Sequence, residues 1–117
     1  MPVRSPLLRI HDMLESIQGI EKAISGKSFR DYERSWLLRS AVERGVEVIS
    51  EASRHLGREL KAQHKDVRWM DIAGIGNILR HEYQRVDGQI IWRAVKDDLP
   101  ALKEALLALK ASFADKA

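Results

Sequence analysis

The chain has 117 residues, 32% of them charged, with a net charge of only +3 and no cysteine. That length holds one domain, residues 1–117, with a modest core that gains from oligomerisation. The mixed charge excludes a polybasic arm that binds nucleic acid by counterion release alone while permitting an RNA partner, and the missing thiols exclude disulfide frameworks, thiolate zinc sites and cysteine nucleophiles.

Ser5-Pro6 makes a cap followed by proline at the first helical position, and Leu7, Leu8, Ile10, Met13, Leu14, Ile17, Ile20 and Ile24 then recur at helical spacing. This predicts helix one, ending near Gly26. Ser28 with Asp31 resembles a capping box, and Trp36, Leu37, Ala41, Val42, Val46, Ile49, Ala52 and Leu56 carry an apolar stripe to Gly57, which predicts a long second helix. Arg58 to Lys65 reads as a short helical or irregular connection. Asp66 is placed to cap a third helix from about Val67 to Glu82. The chain turns at Asp87-Gly88; a fourth helix holds Ile90, Ile91, Trp92, Ala94 and Val95. Asp97-Asp98-Leu99-Pro100 is expected to break it and to start a fifth through Leu102, Leu106 and Leu109, with a fraying tail after Phe113. No segment alternates with period two between hairpin turns, so no sheet is expected. Short connections favour an all-α, up-and-down antiparallel bundle of about four to five helices.

The third helix holds the candidate chemistry. Ile72, Ile75 and Leu79 fall on one face at 3.6 residues per turn, while Gly74, Asn77 and His81 line up nearly opposite. A lone histidine on a helix is ordinarily a solvated residue; set beside an amide and a glycine, it is also a plausible wall of a cleft. On the second helix, Ser40, Arg44, Glu47 and Glu51 form a polar stripe. Its plain reading is a solvated face with an Arg–Glu pair worth a few tenths of a kcal/mol. Its sharper reading is a set of carboxylates that orients cleft residues of the third helix. Trp36, Trp69 and Trp92 are expected in core or interface contacts. The four histidines lack the spacing of a helical metal site, Glu51 with His55 alone is a weak pair, and Gly74-Ile75-Gly76 is not a phosphate loop, so neither metal nor nucleotide cofactor is expected. No apolar run approaches the roughly 20 residues that span a bilayer, and Met-Pro-Val-Arg-Ser-Pro lacks a secretory core, so the expected location is the cytoplasm, with no membrane partner.

Ala41-Val42-Glu43-Arg44, Ile49-Ser50-Glu51-Ala52, Trp69-Met70-Asp71-Ile72-Ala73-Gly74, His81-Glu82-Tyr83, Val86-Asp87, Trp92 and Leu99-Pro100-Ala101-Leu102-Lys103 together resemble, in order and spacing, the HepT-like family of HEPN-domain proteins. The resemblance implies a helical bundle that dimerises around a cleft. It also implies a ribonuclease toxin without metal or other cofactor, tRNA being one candidate substrate, paired with a minimal nucleotidyltransferase antitoxin that attaches AMP to the motif tyrosine, here Tyr83. The family motif is an arginine, four to six residues, a histidine, any residue and a tyrosine. His81 and Tyr83 match it. Gly76 stands where the arginine is usual, just before Asn77.

On this reading His81 is the general acid–base, Asn77 positions the phosphate, and Arg80 or Arg44 supplies the cation, with Glu47 and Glu51 in support. The rival is a HEPN subunit that keeps the dimer and the nucleotidyltransferase partner but, lacking the arginine, does not cleave RNA.

Overall fold

The computed structural model describes residues 5–81 and 87–116, and every regular element among them is helical. In chain order these are α1 Pro6–Ile24, α2 Phe29–Arg34, α3 Trp36–Arg54, α4 Arg58–Ala62, α5 Trp69–His81, α6 Gly88–Arg93 and α7 Leu99–Lys116, with a π-helical turn, Ala94–Asp98, joining α6 to α7. The all-α bundle expected from the sequence is the fold. None of the described helices is long and apolar enough to cross a membrane.

Central α3 packs against α1 on one side and α5 on the other. The core is built from Ile10, Met13 and Ile17 of α1, Val42, Val46 and Ile49 of α3, Ile72, Ile75 and Leu79 of α5, and Leu102, Leu106 and Leu109 of α7. Each such side chain contributes about 1.5–3 kcal/mol on leaving water. The tight approach of α1 to α3 depends on Gly45, where a Cβ would lie 2.8 Å from Cγ1 and Cδ1 of Ile20. Phe29, Tyr32 and Trp92 form an aromatic cluster between α2 and α6, with Tyr32 and Trp92 ring centroids 5.4 Å apart.

Four boundaries differ from the sequence expectation. The capping box at Ser28 is present, with Asp31 N donating to Ser28 Oγ and Ser28 N donating to Asp31 Oδ2, but it opens the separate short helix α2. Ser35 then ends α2 and caps α3, its Oγ accepting from Leu38 N at 3.0 Å in an extended backbone conformation. A second good cap seven residues after the first divides what periodicity alone would join. Secondly, α5 starts at Trp69, not Val67: Val67 is buried beneath the preceding turn, and Trp69 Nε1 donates to His64 O. Thirdly, Asp97 to Pro100 does not interrupt the chain's helical course. A widened π turn ends where Pro100 enters α7, which accommodates a ring with no N–H to give and no room for the carbonyl four residues back. Finally, α7 continues through Phe113 to Lys116.

Asp98 sits in that π turn, 8% exposed, with Arg68 Nη1 3.7 Å from its Oδ1. Burial raises its carboxyl above the ordinary range, and Arg68 opposes the shift without cancelling it. A carboxyl whose folded pKa lies above its unfolded value destabilises the fold as pH rises through that interval. Asp98→Asn is therefore expected to raise Tm by a few degrees at pH 7, and the gain should vanish in melts taken progressively below the ordinary aspartate range.

Candidate active site

The polar side of α5 is an exposed ridge. Met70, Gly74, Asn77 and His81 follow one another along it, and Met70 is 89% exposed, although a thioether side chain gains nothing from water. Ile72, Ile75 and Leu79 occupy the buried face, as the periodicity requires. His81 is the last residue of the helix. Tyr83, the expected AMP acceptor, lies outside the described residues, which resume at Asp87.

Between ridge and core runs the line Ala73, Gly76, Arg80, which faces α3. Gly76 is buried, and a Cβ placed there would lie 2.3 Å from Ser50 Oγ, 2.8 Å from Ser50 Cβ and 3.2 Å from Arg80 Nη1. Ser50, fully buried on α3, fills this notch with a paired contact: its Oγ accepts from Gly76 N at 3.0 Å and donates to Ala73 O at 2.8 Å. Two helix backbones are clipped together by one hydroxyl. The absent side chain at position 76 is thus the condition for α3 and α5 to meet here.

Arg80, one turn after Gly76, folds its guanidinium back over the notch. Its Nη1 lies 3.9 Å from Glu51 Oε2, and its side chain is 32% exposed. Glu51 is the hub of this edge, also 3.0 Å from His55 Nε2 and 4.0 Å from Arg54 Nη1. The hydrogen bond with His55 holds the Glu51 carboxyl below its ordinary range, assisted by the charges of His55, Arg54 and Arg80, so it is an anion at neutral pH. Arg44 pairs instead with Glu47 at 3.9 Å and is 74% exposed. Of the two carboxylates expected to support the site, only Glu51 reaches α5, and it does so as an ion pair longer than a hydrogen bond.

These groups rim a cleft of about 500 Å³ between α1, α3 and α5, lined by Arg9, Arg44, Glu47, Glu51, Arg54 and Arg80 among others. Asn77 and His81 stand outside it, on the ridge, so the cleft wall anticipated on that face is supplied by Arg80. Sequence reasoning missed Ser50 and Arg9, and weighed His55 only as a weak metal pair with Glu51, the residue it meets here. Ser50 had a visible signal, a hydroxyl at a buried position of an apolar stripe, which in a core must find a partner. Among the described residues no group of three or more His, Asp or Glu side chains is placed to hold a metal ion.

The profile of the family described as Ribonuclease HepT-like matches residues 13–109, a span that contains α3, α5 and the clip between them. The chain belongs to the HepT-like ribonuclease family. It is 33% identical over 94 residues to the "Probable ribonuclease HepT" of Thermococcus cleftensis, covering 80% of this chain and 86% of that one. It is 30% identical to a protein of Methanocaldococcus jannaschii named "Putative RNase", over 81% of this chain and 87% of the relative. A third relative with that name, from Caldanaerobacter subterraneus subsp. tengcongensis, is 30% identical over 87% and 91% of the two chains. No solved structure matches the chain. Within this HepT-like protein, then, position 76 carries a buried glycine at a helix contact, and the guanidinium nearest to it belongs to Arg80.

Proposed function

We propose that this HepT-like protein is an endoribonuclease that cleaves RNA, tRNA being the first candidate, as a homodimer and without a metal ion. The observation that carries the proposal is the placement of Arg80. Its guanidinium lies at the space where a side chain at Gly76 would begin, and His81 is the next residue of the same helix. Arg44 is the poorer source of the cation, since it points to Glu47 on its own helix and into solvent.

The chemistry needs little more than these groups. A neutral imidazole takes the proton of the ribose 2′-hydroxyl, and O2′ attacks phosphorus. Negative charge builds on the non-bridging oxygens, where a guanidinium stabilises it. The P–O5′ bond then breaks as an imidazolium returns a proton to O5′, leaving a 2′,3′-cyclic phosphate and a 5′-hydroxyl. His81 is the one histidine of the motif in each protomer, which makes acid and base natural roles for its two copies across a dimer cleft. The exposed Met70, at the other end of the ridge from His81, favours coverage of this face by a second copy. Asn77, between them, offers an amide to orient the phosphate.

By its resemblance to the family, the protein acts as the toxin of a pair whose nucleotidyltransferase antitoxin attaches AMP to Tyr83. An anionic nucleotide there would repel and displace RNA phosphate. The glycine at position 76 also favours a second reading, in which the protein is a non-cleaving partner of that enzyme. Purified protein, shown by intact mass to carry no AMP, is to be incubated with total tRNA in EDTA beside His81→Ala prepared identically. Cleavage by the wild type alone, leaving cyclic phosphate ends, is the expected result. Intact tRNA in both samples would move the function to the binding subunit.

A further inference from the structure

The cleft between α1, α3 and α5 contains more cationic hydrogen-bonding capacity than the protein itself uses. A guanidinium presents five N–H donors in a planar fork. Arg44, Arg54 and Arg80 stand 3.9–4.0 Å from their carboxylate partners, beyond hydrogen-bonding distance, so their pairing leaves those forks largely unspent. Arg9 contributes from the opposite wall, on α1. Its Nε is buried without a partner, so a ligand in the cleft meets the outer groups of the fork. Arg80 lines this cleft and, on the ribonuclease reading, also serves the reacting centre, so the two share one guanidinium.

We propose that this cleft is a groove for phosphates of the RNA strand next to the bond being cleaved, with Arg9, Arg44 and Arg54 gripping flanking phosphates and Arg80 shared with the scissile one. The proposal rests on the ribonuclease reading. Its ligand is a strand and not a small anion, because Glu47 and Glu51 line the same cleft and offset part of the charge of its guanidinium groups. One phosphate gains little against these carboxylates, whereas a chain of phosphates spanning several forks adds contacts without repeating the entropy of association. Planar forks also grip phosphate bidentately where lysines would not.

The test uses a fluorescent single-stranded 2′-O-methyl RNA, which binds but has no nucleophilic hydroxyl, titrated by anisotropy between 50 and 200 mM salt. Arg9→Gln is expected to weaken binding about tenfold and to flatten the dependence of log K on log salt by about 0.7. Arg9→Lys should keep the slope and lose affinity, since it keeps charge without the planar fork. Glu47→Gln should tighten binding several-fold, and neither inorganic phosphate nor AMP should displace the strand at millimolar concentration. If Arg9→Gln folds poorly, Arg44→Gln, at an exposed position, reads the same change of slope. Wild-type binding that Arg9→Gln and Arg44→Gln leave unchanged would overturn the groove, as would displacement by phosphate or no binding at all. Because the probe cannot be cut, loss of the groove leaves measured tRNA cleavage standing. Conversely, a protein that binds through Arg9 but cleaves nothing retains the groove and loses the nuclease.

Discussion

Arg80→Ala is expected to slow single-turnover RNA cleavage by about 10²–10³-fold, and His81→Ala by about 10²–10⁴-fold, with the folded state intact in both. Arg80 is a surface-edge residue whose ion pair with Glu51 is loose, so its removal costs little stability. His81 is exposed at a helix end. The two losses differ in character. Removing the imidazole deletes proton transfer and with it the corresponding limb of the pH–rate profile. Removing the guanidinium leaves that profile in place and lowers it throughout, since an arginine does not titrate in the working range. Arg80→Lys should recover part of the rate, the charge being kept and the fork lost. If Arg80→Ala cleaves normally and Arg44→Ala does not, the cation comes from α3 and the reach of Arg80 over Gly76 has no catalytic meaning.

Much of this arrangement was legible in the chain before its structure. The period of Ile72, Ile75 and Leu79 placed Asn77 and His81 on the outer face of α5, and both are there, because burial of a helix face is what hydrophobic spacing encodes. The long stripe of α3 was equally plain. What spacing did not encode were the interruptions, since Ser35 acts through its own hydroxyl and local backbone conformation, and the π turn at Ala94–Asp98 is a response to Pro100 that leaves the helical pattern continuous. The site was half visible. The Gly76 departure from the family motif could be read, but not its meaning, because that meaning lies in a contact with Ser50, 26 residues earlier in the chain. Arg80 could be offered as a substitute on grounds of length alone; its direction, back across the glycine, is a matter of tertiary packing.

Gly76→Arg, the substitution that restores the family motif, is expected to destabilise the protein by about 3–5 kcal/mol and not to raise its activity. The new Cβ would sit 2.3 Å from Ser50 Oγ and 2.8 Å from Ser50 Cβ, closer than a Cβ approaches atoms it is not bonded to. Ser50 has nowhere to go: it is fully buried on the central helix, and both bonds of its hydroxyl end on the α5 backbone. Overpacking and two broken buried hydrogen bonds therefore act together, against a total stability that for domains is about 5–15 kcal/mol. Higher helix propensity at position 76 returns only about 1 kcal/mol of this. A urea or thermal melt measures the loss, and Ser50→Gly supplies the control, because it removes both atoms the new side chain would strike. Gly76→Arg combined with Ser50→Gly should recover most of the stability lost by Gly76→Arg alone, despite a second glycine's cost to α3. In that background an arginine at 76 competes with Arg80 for the same space, so Arg80→Ala should become far less harmful to cleavage. A stable, hyperactive Gly76→Arg protein would show instead that the two helices part readily, and that the glycine is merely a lost cation. The clip predicts the opposite order of effects: in this chain the fold depends on the missing side chain, and the charge proposed for catalysis sits one turn further along the same helix.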